Sequence, residues 1–352
     1  MKKFDSISHF LESGGFSYRI FDMGRKVTSI SKGQFQKIEN QECAYPSPFQ
    51  RNAWIALLFW TQEEGEKKNP VIWFLKFPID EMGFLKQDAR DSFLISLLEQ
   101  AGKNIQAKQA GEVGQDDLSE SPFAFKPQAD RLAIFHALAT VELEQQPSQY
   151  YQFAHDYLTD DVPFEQWQFL GLQGVADVMV RLEQDDNEVL LESAIAFMPN
   201  EPLFTFCQLL ENVNFSEGLT QSLNDKLMLT LGENSAELLP LQSMLVRALT
   251  GSQSESMRQD VLMLVLESSI GKEIEILAAI SGRAWNDLCQ KELLAVFMLN
   301  LANQSQMAFN AILTDLMMIP KMKALVLEQM RVPDRPAELS LKLSEFMKAI
   351  KH

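Results

Sequence analysis

The sequence predicts an α+β N-terminal domain followed by an all-α region that makes up the rest of the chain. Two long apolar segments near the N-terminus flank a polar loop, as in an antiparallel hairpin. A polar segment with three glycines follows, and beyond residue 127 apolar residues recur only with helical spacing. We therefore expect a small α+β domain over 1–101, a flexible linker over 102–126 and a helical array over 127–352.

Local signals predict the elements of the first domain in chain order. Asp5 or Ser6 can cap a first helix, two short strands surround a tight turn at 22–24, and Ser31 can cap a second helix. The hairpin strands that follow, NAWIALLFWTQ and PVIWFLKF, are apolar at successive positions. Because a strand that is apolar on both faces must be covered on both, we expect the hairpin in the middle of a sheet or sandwiched between helices.

Helix breakers divide the helical region at regular intervals. In its better-marked half, proline, glycine or asparagine recurs every 17 to 20 residues, which leaves helices of roughly 12 to 15 residues. Two helices for each 35 to 40 residues is the arithmetic of an irregular α-solenoid of the HEAT-like type. No side-chain consensus is evident at that period, so a globular helical bundle is the alternative.

Acidic residues are concentrated in one part of the chain. The net charge is −17, and residues 102–220 hold 20 acidic against 5 basic residues. Between Leu132 and Asp225, Arg181 is the only basic side chain. Because proteins engage phosphate backbones through clustered Lys and Arg, we expect no direct nucleic-acid binding by 132–225. A basic protein partner is compatible with this acidity, and solubility is the simpler explanation of it.

Composition also bounds the class of protein. The N-terminus lacks the apolar segment of a secretion signal, and no apolar run approaches the roughly 20 residues of a membrane-spanning helix. Cys43, Cys207 and Cys289 are odd in number and widely spaced, which suits a reducing compartment. We expect a cytoplasmic protein without membrane contact.

Four segments carry a resemblance to a known family: YRIFDMGRKV, NAWIALLFW, WFLKFPIDEMG and DARDSF. On these words the chain resembles members of a gammaproteobacterial family that is catalogued as a domain of unknown function. The resemblance runs over the whole length and is strongest over residues 16–94. It implies a bacterial cytoplasmic protein, and it assigns no activity, cofactor or catalytic residue to any position here.

One junction in the first domain has the composition of a chemical site. The apolar strand WFLKF ends at Pro78 and runs into Asp80, Glu81 and a glycine, just before a helical segment. Carboxylates in such a place can bind a metal or act as general acid and base. The same residues also suit a simple turn, because proline stops a strand, glycine permits reversal and acids offset a helix dipole. Asp22 and Arg25 are the other polar residues that could join such a site.

No pattern in the chain specifies a cofactor or a metal. Phosphate-cradling glycine loops, dinucleotide-binding motifs and serine-nucleophile motifs are absent from the sequence. His136 and His155 lack the spacing of zinc ligands. We therefore predict no cofactor, and we assign no catalytic, cofactor-binding or metal-binding residues.

These observations favour a non-enzymatic interaction or scaffold protein that presents an acidic helical surface to a protein partner. The candidate interaction residues are Asp160, Asp161, Asp185, Asp186 and Glu188. The alternative is an enzyme or a small-ligand sensor, with its site in the first domain or in a cleft between the domains. The residues for that alternative site are Asp80, Glu81, Asp22 and Arg25.

Overall fold

The computed structural model divides into two compact units. It describes residues 5–61, 70–109, 121–159, 161–232, 235–333 and 335–350. The first unit contains Met1–Gln128 with Met318–Pro320, and the second contains Ala129–Met317 with Lys321–His352. The first carries a small antiparallel sheet, and the elements named in the described part of the second are all helices, so the predicted order of an α+β region followed by helices is confirmed.

The sheet of the first unit has four antiparallel strands in the order β2-β1-β3-β4. The strands are β1 (Phe16–Asp22), β2 (Thr28–Ile30), β3 (Asn52–Thr61) and β4 (Val71–Pro78). The expectation of a central hairpin holds for β3, which lies in the interior of the sheet, where Leu57 pairs with Ile20 of β1 and with Trp73 of β4. It is wrong for β4, which lies at the edge of the sheet. Both faces of β3 are covered, because Leu57 and Leu58 point to opposite sides and are each fully buried.

Three helices belong to the same unit. They are α1 (Ile7–Ser13), α2 (Lys32–Glu39) and α3 (Gln87–Gln109). The predicted caps form, since Ser6 accepts from the backbone N–H of His9 and Ser31 accepts from that of Gln34. The strands β1 and β2 are joined by residues 23–27, a longer connection than the predicted tight turn at 22–24, and Gly24 within it does not have a positive φ. Its N–H instead donates to Asp22 Oδ1 at 2.7 Å.

Glu39 of α2 joins all three helices, because its buried carboxylate contacts α1 and its backbone carbonyl contacts α3. Its oxygens accept from the backbone N–H groups of Ile7 (2.7 Å) and Ser8 (3.1 Å) at the start of α1, and from Ser8 Oγ. Its backbone carbonyl accepts from Arg90 Nη1 and from Gln87 Nε2 of α3, each at 2.7 Å. Burial raises the pKa of this carboxyl above its ordinary value, although the donors of Ser8 and Ile7 oppose the rise.

The predicted linker over 102–126 differs from the structure at both ends. The backbone of α3 is helical as far as Gln109, and residues 110–120 lie outside the described residues. At the other end, Lys76 N–H donates to the Phe123 carbonyl at 2.7 Å, and Phe125 N–H donates to the Phe74 carbonyl at 3.1 Å. Residues 123–125 therefore cover the edge of β4, because their aromatic rings and backbone groups supply partners that a linker would leave unused.

Thirteen α-helices are found in the described part of the chain beyond residue 128. They are α4 (Ala129–Glu142), α5 (Tyr151–Leu158), α6 (Leu172–Met179), α7 (Asn187–Ala194), α8 (Asn200–Leu210), α9 (Glu217–Gly232), α10 (Leu239–Leu249), α11 (Glu255–Glu267), α12 (Ile274–Arg283), α13 (Lys291–Ala302), α14 (Gln306–Met317), α15 (Pro320–Gln329) and α16 (Ala337–Ile350). Alternate helices pack on one another: α4 on α6, α6 on α8, α8 on α10, α10 on α12 and α12 on α14. A second series packs α5 on α7, α7 on α9 and α11 on α13.

Side-chain hydrogen bonds join successive helix pairs at a recurring distance along the chain. These bonds connect Ser216 N to Glu188 Oε1, Thr220 Oγ1 to Ser252 Oγ, Arg258 to Asp287, and Asn300 Nδ2 to Leu266 O. Their partners lie 28, 32, 29 and 34 residues apart, respectively. Each link thus spans about one helix pair.

Three helices of the second series carry a repeated sequence. The segments DKLMLTL in α9, DVLMLVL in α11 and AVFMLNL in α13 begin at residues 225, 260 and 295, so successive copies start 35 residues apart. The third and sixth positions are buried in every copy. The fifth is exposed in every copy, as Leu229, Leu264 and Leu299. Equivalent positions therefore have equivalent environments, and we name this the 35-residue repeat.

A glycine substitution tests how closely α5 and α6 approach. A Cβ added at Gly174 of α6 would overlap the backbone carbonyl of Tyr150, which precedes α5. We expect Gly174→Ala to lower the free energy of unfolding by about 1–3 kcal/mol, because backbone must move to admit the methyl group. Chemical denaturation measures this change.

Gly282 provides the matched control for that substitution. It is also helical, in α12, but nothing lies within 4 Å of an added Cβ. Gly282→Ala should therefore be neutral or raise stability by up to about 1 kcal/mol through helix propensity. Equal effects of the two substitutions would contradict the close approach of α5 and α6.

Candidate functional site

Asp80 organises a turn at the end of β4. Its Oδ1 accepts from the backbone N–H groups of Met82 (2.8 Å) and Phe84 (2.9 Å). Gly83 has φ +85°, a conformation that glycine adopts without strain, and Asp80 N–H donates to the Phe84 carbonyl at 2.8 Å. Proline, carboxylate and glycine each have a structural task here, so the junction between β4 and α3 is built as a turn.

Glu81 is exposed beside this turn, at an open groove of about 670 Å³. The lining of the groove includes Arg51, Asn52, Pro78, Ile79, Asp80, Glu81, Met82 and Lys86. Charges of both signs meet there, and none of these lining residues is a histidine, cysteine or serine. The described lining of the groove therefore offers no serine or cysteine nucleophile paired with a histidine base. Asp22 and Arg25 are not among the lining residues.

Asp22 and Arg25 lie inside the first unit and stabilise the connections around β1. Asp22 is buried and accepts from Gly24 N–H and from the hydroxyl of Ser47. Arg25 is fully buried, and its Nε donates to the Pro48 carbonyl at 2.9 Å. Burial raises the pKa of the neighbouring Tyr45 hydroxyl well above its ordinary value, and the charge of Asp22 adds to this rise. These contacts hold loops in place and leave neither charge open to a substrate.

The acidic candidates of the second unit divide into two kinds. Asp161 is exposed, and its Oδ2 accepts from the hydroxyl of Thr159, two residues earlier, at 2.8 Å. Asp186 is exposed and directly precedes α7, as expected for an acid at a helix start. Asp185 is also exposed, but its Oδ2 accepts from Tyr151 Oη at 2.6 Å. Glu188 is half-buried and accepts from the backbone N–H of Ser216. Asp160, the fifth candidate, lies outside the described residues.

The one basic residue between Leu132 and Asp225 is withdrawn from the surface. Arg181 is 5% exposed, and its Nη1 lies 3.2 Å from Asp177 Oδ1. Its Nη2 donates to Thr140 Oγ1 at 2.9 Å. Nine described acids of the same stretch are exposed: Glu144, Asp161, Glu165, Glu183, Asp185, Asp186, Glu201, Glu217 and Asp225. The exposed Lys, Arg, Asp and Glu side chains of this stretch are thus all acidic.

Sequence reasoning missed a buried ion cluster that joins α8, α10 and α12. Glu211, whose side chain is 2% exposed, accepts two hydrogen bonds from Arg247 at 2.6 and 2.8 Å, and one from Arg283 at 2.8 Å. Burial alone would raise the pKa of the Glu211 carboxyl, but attraction to Arg283 and Arg247 outweighs it and the pKa is lowered. Burial lowers the pKa of Arg283 to about 10, although Glu211 opposes the change.

The sequence held one signal for this cluster. Arg247 and Arg283 each lie in the last turn of their helices and are 36 residues apart, close to the length of the 35-residue repeat. Two cations at equivalent ends of packed helices need a shared anion, and Glu211 stands 36 residues before Arg247. The cluster therefore joins the C-terminal ends of α8, α10 and α12.

Two further features of the chain concern metal binding and membrane crossing. Within the described ranges, no three His, Cys, Asp or Glu side chains are grouped so that they could hold a metal ion. No helix in the described part of the chain combines the length and the apolar character that crossing a membrane requires.

The fold and its polar residues define a protein with a sheet-bearing first unit and a larger helical unit whose exposed charge is acidic over one long stretch. The chain belongs to the family described as "Protein of unknown function (DUF3549)", which matches residues 2–347. The resemblance to a family of unknown function is thereby confirmed, while its gammaproteobacterial distribution stays a prediction. Comparison with curated proteins and with solved structures gave no match.

Proposed function

We propose that this protein is a non-enzymatic scaffold whose acidic helical surface binds a basic protein partner. The observation that carries the proposal is the surface of residues 132–225. Nine exposed carboxylates lie there, and the single basic residue, Arg181, is buried against Asp177. A surface with charge of one sign attracts partners of the opposite sign and repels nucleic-acid phosphates.

We also propose that the helical unit is an irregular α-solenoid. Alternate helices pack in series, as expected when each helix pair contacts mainly the next pair. The 35-residue repeat and the hydrogen bonds between residues 28–34 apart support the same architecture. A globular bundle would instead require contacts between helices distant in the chain. Stacked helix pairs offer long surfaces, which suits a scaffold.

A cytoplasmic location belongs to the same proposal. Cys43, Cys207 and Cys289 are all free thiols, as is usual where the surroundings are reducing. Burial raises the pKa of the Cys207 thiol to about 12, so this thiol is a packing group and not a nucleophile.

Removing exposed acids tests the proposed function. The variant Asp161→Lys with Asp186→Asn changes both accessible candidates and spares Asp185 and Glu188, whose carboxylates hold Tyr151 and Ser216. Asparagine is chosen at 186 because φ there is +57°, which asparagine tolerates. We expect association with the partner captured from the native host to slow by about tenfold at low salt.

A matched control uses acids of the first unit. Glu42→Lys with Asp88→Asn makes the same change in charge, and Asp88 likewise lies at a helix start, in α3. This control should leave the association rate near that of wild type. Equal rates for all three proteins, with no dependence on salt, would show that the acidic surface serves only solubility.

A further inference from the structure

Three leucines of the 35-residue repeat occupy equivalent exposed positions, and we call them the leucine row: Leu229, Leu264 and Leu299. Their exposed fractions are 67%, 52% and 37%, although each lies between buried positions of its own helix. Each is also the fourth residue from the end of its helix, in α9, α11 and α13. A single exposed leucine needs no explanation, but the same position exposed in three successive repeats does.

Contacts between α11 and α13 place two members of the row on neighbouring turns. Asn300, next to Leu299, donates from Nδ2 to the Leu266 carbonyl at 2.7 Å, two residues beyond Leu264. The helices α11 and α13 also pack directly on each other. The C-terminal halves of these two helices are therefore adjacent, and Leu264 and Leu299 lie on adjoining turns.

A second contact extends the apolar surface at the other end of the row. Lys226 of α9 donates from Nζ to the Ala196 carbonyl at 3.4 Å, and Leu229 lies one turn beyond Lys226. Phe197 follows Ala196 and is 76% exposed. The helix α9 packs on α7, and Thr220 near its start donates to Ser252 Oγ in the connection between α10 and α11.

The charges around the row are acidic. Asp225 lies four residues before Leu229, and Asp260 four residues before Leu264, so acid and leucine share a helix face in both repeats. The exposed acids of α9, α11 and α13 are Glu217, Asp225, Glu255, Asp260, Glu267 and Glu292. The basic residues of these helices are Lys226, Arg258 and Lys291, which contact Ala196, Asp287 and Glu328 of this chain, respectively.

We propose that the leucine row docks a basic amphipathic helix of the partner protein; this inference rests on the proposed function and deepens it. The helices α11 and α13 pack on each other, and packed helices lie about 8–10 Å apart, so Leu264 and Leu299 are separated by about that distance. Apolar residues seven apart on a partner helix are separated by about 10.5 Å. A helix with one apolar residue in each heptad thus matches the row, and its flanking Lys and Arg meet Asp225, Asp260 and Glu267.

The same charges argue against two other occupants. A second copy of this chain would bring its own acids against these acids, which costs free energy at an interface. An anionic membrane surface attracts basic segments and repels acidic ones. Charge complementarity therefore selects a basic partner.

A synthetic peptide provides the probe. It has about three heptads, with leucine at the core positions and lysine beside them, and carries a fluorescent label. Binding to the full chain is measured by fluorescence anisotropy. We expect Leu264→Gln with Leu299→Gln to weaken binding by at least about tenfold, because burial of two leucines is lost.

Controls separate the row from general stickiness and from charge alone. Leu341→Gln removes an equally exposed leucine on α16 (64% exposed) and should not change binding. A peptide of the same composition, scrambled so that it has no apolar face, should bind more weakly than the probe. A second variant, Asp260→Asn with Glu267→Gln, keeps the leucines and should also weaken binding, more so at low salt.

Several results would overturn the inference. The inference is wrong if wild type does not bind the probe, or if the Leu264/Leu299 variant binds the probe as tightly as wild type does. It is also wrong if wild type binds the scrambled peptide as tightly as the probe, or if wild type is a dimer that this variant abolishes. The captured partner distinguishes this inference from the proposed function. If the Asp161/Asp186 variant loses that partner while the Leu264/Leu299 variant retains it, the acidic scaffold stands and the docking row is wrong.

Discussion

Replacing Glu211 with alanine is expected to lower the free energy of unfolding of the helical unit by about 3–5 kcal/mol. The substitution leaves Arg247 and Arg283 largely buried, at 17% and 12% side-chain exposure, without the carboxylate that both contact. It also removes the link between the ends of α8, α10 and α12. Urea denaturation followed by far-ultraviolet circular dichroism measures the loss.

The contribution of Glu211 should depend on pH in one direction. Its pKa in the folded protein lies below the ordinary value of 4.5, so folding favours the ionised form. The stabilisation is therefore complete above about pH 4.5 and is lost as the pH falls through the lower folded-state pKa. The difference in stability between wild type and Glu211→Ala should therefore narrow as the pH falls from about 4.5 through the lowered folded-state pKa of Glu211.

Two controls isolate the ion cluster from a general effect on α8. Glu201→Ala removes an exposed acid from the same helix and should change stability by less than about 0.5 kcal/mol. The triple variant Glu211→Leu, Arg247→Met and Arg283→Met removes all three charges and should recover most of the loss, since apolar packing can replace a buried ion cluster. If Glu211→Ala kept the stability of wild type, the ion cluster would not stabilise the packing of α8, α10 and α12.

Replacing Phe93 with alanine is expected to destabilise the first unit by about 3–5 kcal/mol. Phe93 is fully buried on α3, and its ring lies 6.0 Å from that of Trp73, 5.6 Å from that of Phe77 and 6.2 Å from that of Phe123. The substitution opens a cavity where helix, sheet and the covering segment at 123–125 meet. Tryptophan fluorescence during denaturation reports the change.

Ile95 is the control for Phe93 on the same helix. Its side chain is 58% exposed, so Ile95→Ala should alter stability by less than about 0.5 kcal/mol. If both substitutions had the same small effect, α3 would not pack on the sheet as described.

The first unit could be predicted from the sequence because its signals are local. A serine before a helix, an apolar run between polar loops and a glycine after Asp80 each specify structure within a few residues. Ser6, Ser31 and Gly83 all behave as expected. The pairing of 123–125 with β4 could not be predicted, because β4 lies some 50 residues earlier in the chain and no local pattern indicates the pairing.

The contacts of the helical unit were harder to predict. The 35-residue repeat is present in the sequence, but most of its positions are apolar, as they are in any buried helix. The shared pattern becomes evident only when the structure shows that Leu264 is exposed while its neighbours Val265 and Leu266 are buried. Acidic residues raise a similar difficulty. Asp185 and Asp186 look equivalent in the sequence. The hydrogen bond from Tyr151 Oη shows that the carboxylate of Asp185 already has a partner within the chain.

Glu39 sets the order in which the N-terminus can acquire its structure during synthesis. The first N–H groups of α1 are held by this carboxylate, and its own backbone carbonyl is held by Gln87 and Arg90. A helix of seven residues has too few internal hydrogen bonds to persist alone. The residues as far as Arg90 must therefore leave the ribosome before all of these contacts of Glu39 can form. The helix α1 is thus stabilised only after residues far beyond it in the chain have been synthesised.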